Sequence, residues 1–129
     1  MTKILIMEDN LRLGLEWVDA FALNNCEAKL CATVEDTIGF LEKETYDVLI
    51  TDLFIGGKAG GLELLKALKK QSKTVPPIIA VTGTSPKYAL GSDVNIFLKV
   101  ARLFGASKQI QKPFPAGELV LLALNLCEN

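Results

Sequence analysis

No histidine occurs in the 129 residues of this chain. That absence excludes a Ser-His-Asp or Cys-His nucleophile system and a histidine-ligated zinc. Whatever chemistry the chain performs falls to carboxylates, hydroxyls, lysine and a hard cation. Net charge is almost absent too, at -1, so there is no overall basic footprint for nucleic acid or an anionic membrane surface. Long apolar runs are missing: Leu119 to Leu124 falls far short of a membrane span, and the N-terminus has no signal-peptide pattern. The expectation is a cytoplasmic protein with no membrane insertion and no direct nucleic-acid partner. Three cysteines, Cys26, Cys31 and Cys127, make an odd number. Thiols in a reducing compartment are therefore expected rather than a disulfide framework.

What is present is half hydrophobic and long enough for one sizeable core but not two. A single domain over residues 1–129 is expected, with no effector domain following it. The stretch Tyr46-Asp47-Val48-Leu49-Ile50-Thr51-Asp52 reads as a buried parallel strand that ends abruptly in a carboxylate. Lys3 to Met7 is a similar strand ending in Glu8-Asp9, after which Asn10 caps a helix with Leu11, Leu15, Val18, Phe21 and Ala22 at helical spacing. A second strand is expected near Ala28 to Ala32, and Thr33-Val34-Glu35-Asp36 opens a second helix with Ile38 and Leu41 inward.

Beyond Asp52 a glycine-rich loop, Gly56 to Gly61, leads into a third helix over Leu62 to Leu68. Ile78 to Val81 forms a fourth strand, ending at Thr82-Gly83. Thr84 to Asp93 has no clear period, and Ile96, Phe97, Val100 and Phe104 mark a fourth helix stopped by Gly105. A short fifth strand near Lys108 to Gln111 ends in Lys112-Pro113-Phe114, and Pro115 to Cys127 is the fifth helix. Strand and helix alternate five times, which implies an α/β fold with a parallel sheet and helices on both faces.

Glu8, Asp9, Asp52, Thr82 and Lys112 all fall just after predicted strands and converge on one rim of such a sheet, where open α/β sheets bind ligands. Three carboxylates together repel and raise one another's pKa unless a cation is held among them. Oxygen donors suit Mg²⁺, which keeps waters and a phosphate oxygen. Lys112 offers a point charge and Thr82 a hydroxyl donor for the oxygens of a phosphoryl group. The set points to phosphoryl transfer onto Asp52, giving an acyl phosphate.

Glu8-Asp9, the strand-terminal Asp52, Thr82-Gly83 thirty residues later and Lys112-Pro113-Phe114, in that order, resemble the response-regulator receiver domain of two-component signalling, in its single-domain, chemotaxis-regulator-like form. The resemblance covers nearly the whole chain. It implies a flavodoxin-like (βα)5 fold with strand order 2-1-3-4-5. It implies that Asp52 accepts a phosphoryl group from a histidine kinase or phosphotransfer protein. Asp9, Asp52 and the carbonyl of Phe54 would coordinate Mg²⁺, with Glu8 acting through water, Thr82 reading the phosphoryl group and Lys112 pairing with it. The Lys112-Pro113 bond would be cis. Such a protein is no enzyme beyond its own phosphorylation and dephosphorylation. It signals through a downstream target or a homodimer, with the fourth and fifth helices as the contact surface.

The chain departs from the family in several places. Gln109 stands where an aromatic residue usually sits, three positions before the lysine, so the usual aromatic relay is missing. The segment from Thr82 to Lys112 is longer than usual, with the surplus in Thr84 to Val94 and Tyr88 a candidate substitute for the relay. Gly56 replaces a frequent proline. Phe54 is expected to obstruct water and slow the loss of phosphoryl. In the fifth helix Leu119, Leu122, Ala123 and Leu126 suffice for the core, leaving Val120, Leu121 and Leu124 over. Two other readings stay open: a non-phosphorylated pseudo-receiver that acts as an interaction module, and a Mg²⁺-dependent Asp-nucleophile phosphatase. The second is weakened by Phe54, which stands where such enzymes carry another aspartate.

Overall fold

A computed structural model describes residues 1–54, 60–71, 74–83, 99 and 101–127. Five strands, β1 (Thr2–Met7), β2 (Cys26–Cys31), β3 (Val48–Asp52), β4 (Ile78–Thr82) and β5 (Ala106–Gln111), form one sheet. Its order is β2-β1-β3-β4-β5, and every neighbouring pair is parallel. Helices α1 (Leu11–Ala22), α2 (Val34–Lys43), α3 (Gly60–Lys70) and a C-terminal helix (Ala116–Cys127) cover it. This is the flavodoxin-like arrangement expected from the sequence.

The central strands read as continuous apolar runs because both faces are covered. In β1, Leu5 and Met7 point to one core together with Leu49, Leu53 and the α3 leucines Leu62, Leu64, Leu65 and Leu68. Ile4 and Ile6 point to the other, with Val48, Ile50, Ile79, Val81, Trp17, Phe21 and Leu119. Alternate residues of one strand thus serve opposite layers. With both sides packed, every side chain of β3 and β4 is buried, and the strands can deliver a polar residue only at their ends.

Local signals account for the helix starts. Asn10 Oδ1 accepts the Leu13 N–H at 3.1 Å, and Thr33 Oγ1 accepts the Asp36 N–H at 3.1 Å, each satisfying an otherwise orphaned donor. The buried face of α1 departs in part from the expected stripe: Phe21 faces inward as expected, but Gly14 and Trp17 join it, whereas Leu11 and Leu15 are 65% and 47% exposed. Trp17 carries the largest apolar surface and turns the helix toward the sheet and the C-terminal helix, and Gly14 lets it approach Leu30. In α2 the fully buried residue is Thr37, whose hydroxyl donates to Thr33 O at 2.8 Å, with Ile38 and Leu41 only partly covered.

The C-terminal helix buries Leu119, Val120 and Ala123, so Val120 belongs to the core and is not surplus. Leu121 remains 61% exposed. β2 and β5 each begin two residues earlier than the sequence suggested, at Cys26 and Ala106. Cys26 and Cys31 are buried thiols at the two ends of β2. The loop around Gly56, the Thr84 to Val94 surplus with Tyr88, and most of the expected fourth helix lie outside the described residues. Among the described residues no helix is long and apolar enough to cross a membrane.

Candidate functional site

Parallel pairing puts the ends of β1, β3, β4 and β5 on one rim. Glu8 follows β1 directly and is 1% exposed, with its N–H donating to Cys31 O at 3.0 Å. Its Oε2 accepts the Asn10 N–H at 3.0 Å, and its Oε1 accepts the Lys112 ammonium at 2.6 Å. Asp52, the last residue of β3, is also buried. Its Oδ1 accepts the Phe54 N–H at 2.9 Å and its Oδ2 accepts Lys112 Nζ at 2.6 Å. Residues separated by 104 and 60 positions are thus joined through one ammonium.

Lys112 is itself held from two sides. Its backbone N–H donates to Thr82 O at 2.7 Å, which ties the end of β5 to the end of β4. The Lys112-Pro113 peptide is cis, as the resemblance implied. Trp17 lies with its ring centroid 5.7 Å from Lys112 Nζ and stacks on Phe114 at 5.6 Å, walling the ammonium with aromatic surface. Thr82 is fully buried, and its hydroxyl has no hydrogen-bond partner among the described residues.

Burial sets the electrostatics. It pushes the Glu8 carboxyl up to about 7, and the hydrogen bonds from Lys112 and Asn10 offset it only in part, while the nearby Asp52 charge adds to the rise. Burial alone depresses the Lys112 ammonium, but hydrogen bonds to Asp52 and Glu8 outweigh it and leave the lysine above its ordinary value. Two buried carboxyl groups share one cation, and the rise of Glu8 to about 7 means that one ammonium does not fully stabilise both as anions, so a further cation would find charge to neutralise.

The structure therefore brings Glu8, Asp52 and Lys112 into direct contact, with Thr82 joined to them through the backbone and Phe54 through its N–H. Phe54 is half-buried against the α3-side core. Asp9 follows Glu8 on the exposed rim. Among the described residues no three acidic, histidine or cysteine side chains are gathered as a ready-made metal group. A divalent ion needs less, because Mg²⁺ is commonly held by one or two carboxylates and completes its shell with water and phosphate oxygens. The donor set is all oxygen and carries excess negative charge, which fits a small hard cation.

Sequence reasoning missed three contributors. The Asn10 N–H grips Glu8, Trp17 walls Lys112, and Gly61 presses α3 against the end of β3. A Cβ on Gly61 would meet Asp52 O at 1.9 Å and Leu53 Cα at 2.5 Å. The only forewarning was the glycine pair at the start of a strong helix.

A doubly wound sheet with an acid-lysine pocket at its strand ends is the architecture of a receiver domain. The chain matches the response regulator receiver domain family over residues 4–123 and belongs to it, the family of two-component signalling. It is similar to "Heme response regulator HssR" of Staphylococcus saprophyticus, with 29% identity over 121 residues, covering 93% of this chain and 49% of that protein. The chain thus spans about half the length of that relative. Among solved structures it is similar to the Francisella response regulator 1452 receiver domain, with TM-score 0.80, 23% identity and coverage of 99% of this chain and 98% of that one. It is also similar to chemotaxis response regulator CheY4 of Vibrio cholerae, with TM-score 0.75, 22% identity and 97% of each chain covered.

Proposed function

We propose that this chain is a single receiver domain over residues 1–129 that works in the cytoplasm and accepts a phosphoryl group on Asp52 from a histidine kinase or phosphotransfer protein. The observation that carries this reading is the Lys112 ammonium held at 2.6 Å by both Asp52 and Glu8 at the carboxyl end of the sheet. The Thr82 hydroxyl on the adjacent strand, without a partner among the described residues, supports it, since a buried donor without an acceptor fits a ligand oxygen.

In the transfer, a carboxylate oxygen of Asp52 bonds to phosphorus as the phosphorus–nitrogen bond of a phosphohistidine breaks, and the electron pair stays on the leaving imidazole. The Phe54 N–H holds Oδ1, which leaves the Oδ2 side for reaction once Lys112 yields it. Lys112 then exchanges one carboxylate for a phosphoryl oxygen. Thr82 gains the acceptor it lacks. Glu8, Asp9, Asp52 and the Phe54 carbonyl are the oxygen donors that would hold Mg²⁺, and the ion supplies neutralising charge to the phosphoryl oxygens when bound. The signal passes through altered contacts with a downstream protein or a second copy.

Incubation with acetyl phosphate and Mg²⁺, followed by intact mass measurement, tests the reading. One phosphoryl adduct is expected, lost on chelation and in Asp52→Asn. An unmodified wild-type chain refutes it. A second reading, an unphosphorylated interaction module of the same fold, is favoured by the exposed position of Asp9 on the rim. Beryllofluoride with Mg²⁺ separates the two, because the emission of Trp17, the sole tryptophan, responds only if the pocket is occupied.

A further inference from the structure

The near-neutral total conceals a strong division of charge. Residues 55–112 carry ten of the fourteen lysines and arginines and only two of the fifteen acidic residues. Residues 1–54 carry eleven acidic residues and four basic ones. The strand order sends these segments to opposite edges, with β2 and β1 on the acidic side and β4 and β5 on the basic side.

On the basic side, α3 meets the helical turn that ends at Phe104. The Nζ atoms of Lys66 and Lys69 each lie 5.7 Å from the centroid of the Phe104 ring. Lys69 Nζ also donates to Leu103 O at 2.7 Å. Lys70, next in sequence to Lys69, and Arg102, next to Leu103, are exposed, and Leu103 is itself 70% exposed. None of these four cations forms an ion pair with a carboxylate among the described residues, where the salt bridges are those of Lys3 and Lys112. Surfaces that only need solvation intersperse the two signs. Here Lys66 and Lys69 are held against the turn that carries the exposed Leu103 by an aromatic ring and, for Lys69, a backbone carbonyl.

We propose that α3 and the Arg102–Phe104 turn form a docking surface for an acidic protein segment that carries an apolar side chain between carboxylates. Leu103 supplies the apolar centre and Lys66, Lys69, Lys70 and Arg102 the charged rim, the anatomy of a protein interface. Charge complementarity selects the partner's sign and steers its approach. Nucleic acid is disfavoured because the face of Phe104 is taken by two ammonium groups and offers no platform for a base. The acidic segment 1–54 would also repel a long phosphate backbone. The surface shares no residue with the Asp52 pocket, so it stands whether or not Asp52 is phosphorylated.

The test is fluorescence anisotropy with the full chain and four labelled probes: a synthetic peptide alternating glutamate and leucine, polyglutamate of equal charge, a DNA duplex, and phosphatidylglycerol vesicles. The Glu/Leu peptide is expected to bind best. Its affinity should fall roughly tenfold in K66E/K69E and several-fold in Leu103→Ser, with Lys108→Glu on β5 unchanged. The milder K66Q/K69Q pair should weaken binding in the same direction, with circular dichroism confirming the fold. Equal binding by K66E/K69E, equal binding of polyglutamate, or preference for the duplex or the vesicles would overturn the proposal.

Discussion

Gly61 gives two physical rules opposite signs. It lies in the first turn of α3, and helix propensity alone says that Gly61→Ala should stabilise the fold by about 1 kcal/mol. Packing says the reverse. The added Cβ would meet Asp52 O at 1.9 Å, Leu53 Cα at 2.5 Å and the Asp52 carbonyl carbon at 2.7 Å, and all three are backbone atoms of the strand end that carries the pocket. Non-bonded contacts settle near about 3.5 Å, so α3 or the end of β3 must move by more than about 1 Å. That motion also strains the hydrogen bond from Gly61 N–H to Leu53 O, 3.1 Å long.

Overpacking of a well-packed site costs about 1–3 kcal/mol, and rigid backbone neighbours put this case at the upper end. Net of propensity, Gly61→Ala should destabilise by about 2 kcal/mol and lower Tm by roughly 5–12 °C. Urea denaturation with a thermal melt measures this. Two internal controls sharpen it. A Cβ at Gly39, in α2, meets nothing within 4 Å, so Gly39→Ala should gain about 0.5–1 kcal/mol. At Gly14 the nearest atoms to the Cβ would all belong to the Leu30 side chain, its two methyls at 2.6 and 2.7 Å and its Cγ at 3.3 Å, which can shift more easily than backbone, and Gly14→Ala should fall between the two. A Gly61→Ala protein as stable as Gly39→Ala would refute the claim that close packing of α3 positions Asp52.

Lys112→Met removes the one cation shared by two buried carboxylates, and urea melts at neutral pH should show a loss of about 3–5 kcal/mol, against a change below about 1 kcal/mol if the carboxylates are effectively solvated. Thr82→Val replaces an unpartnered buried hydroxyl with a methyl group of similar size, so the unphosphorylated protein should be unchanged or gain about 1 kcal/mol while any response to beryllofluoride weakens; a clear loss of stability would mean that the hydroxyl has a partner. Phe54→Asn should shorten the lifetime of a phosphorylated Asp52 several-fold, followed by intact mass after the donor is removed, and an unchanged lifetime would show that the ring does not limit water. Tyr46 is pushed up to about 12 by burial and by its hydrogen bond to Glu44, so the folded state favours the protonated phenol. That contribution is complete below the ordinary phenol value of about 10 and is lost as pH rises through 12, so Tyr46→Phe should flatten the alkaline decline in stability; an identical decline would refute it.

Much of the site was legible because a buried strand can turn polar only at its end. Asp52, Thr82 and Glu8 each stand at the limit of an apolar or β-branched run, Lys112 follows the mostly polar β5 and was marked instead by the Lys-Pro-Phe step, and parallel order carries all four ends to one rim. The helices were less legible. In α1 the leucine spacing suggested a stripe through Leu11 and Leu15, yet position on the helix counts for less than which side chain fills the sheet's groove, and Trp17 decided it. Val120 was misplaced for a related reason: the C-terminal helix is apolar around most of its circumference, so periodicity carries little directional information and contact with α1 and the sheet fixes its inward face. Gly61 was barely legible: the glycine pair before a strong helix hinted at a close approach, but the distance between a helix start and a strand end is a property of packing.

The same distinction separates two kinds of charge in this chain. Lys112 sits in a pocket where each contact is fixed by strand ends, and its ammonium is shared at 2.6 Å by groups that cannot move away without moving β1 or β3. Lys66 and Lys69 sit on an exposed helix face, held among the described residues by a ring and, for Lys69, a carbonyl. Reversal of the first charge should reach the fold through desolvated carboxylates, because low local dielectric magnifies every imbalance. Reversal of the second should leave the fold intact, because solvent screens it, and any effect must come through a partner. Stability and binding measured side by side on Lys112 and Lys66/Lys69 variants therefore distinguish charge that builds the domain from charge that addresses another molecule.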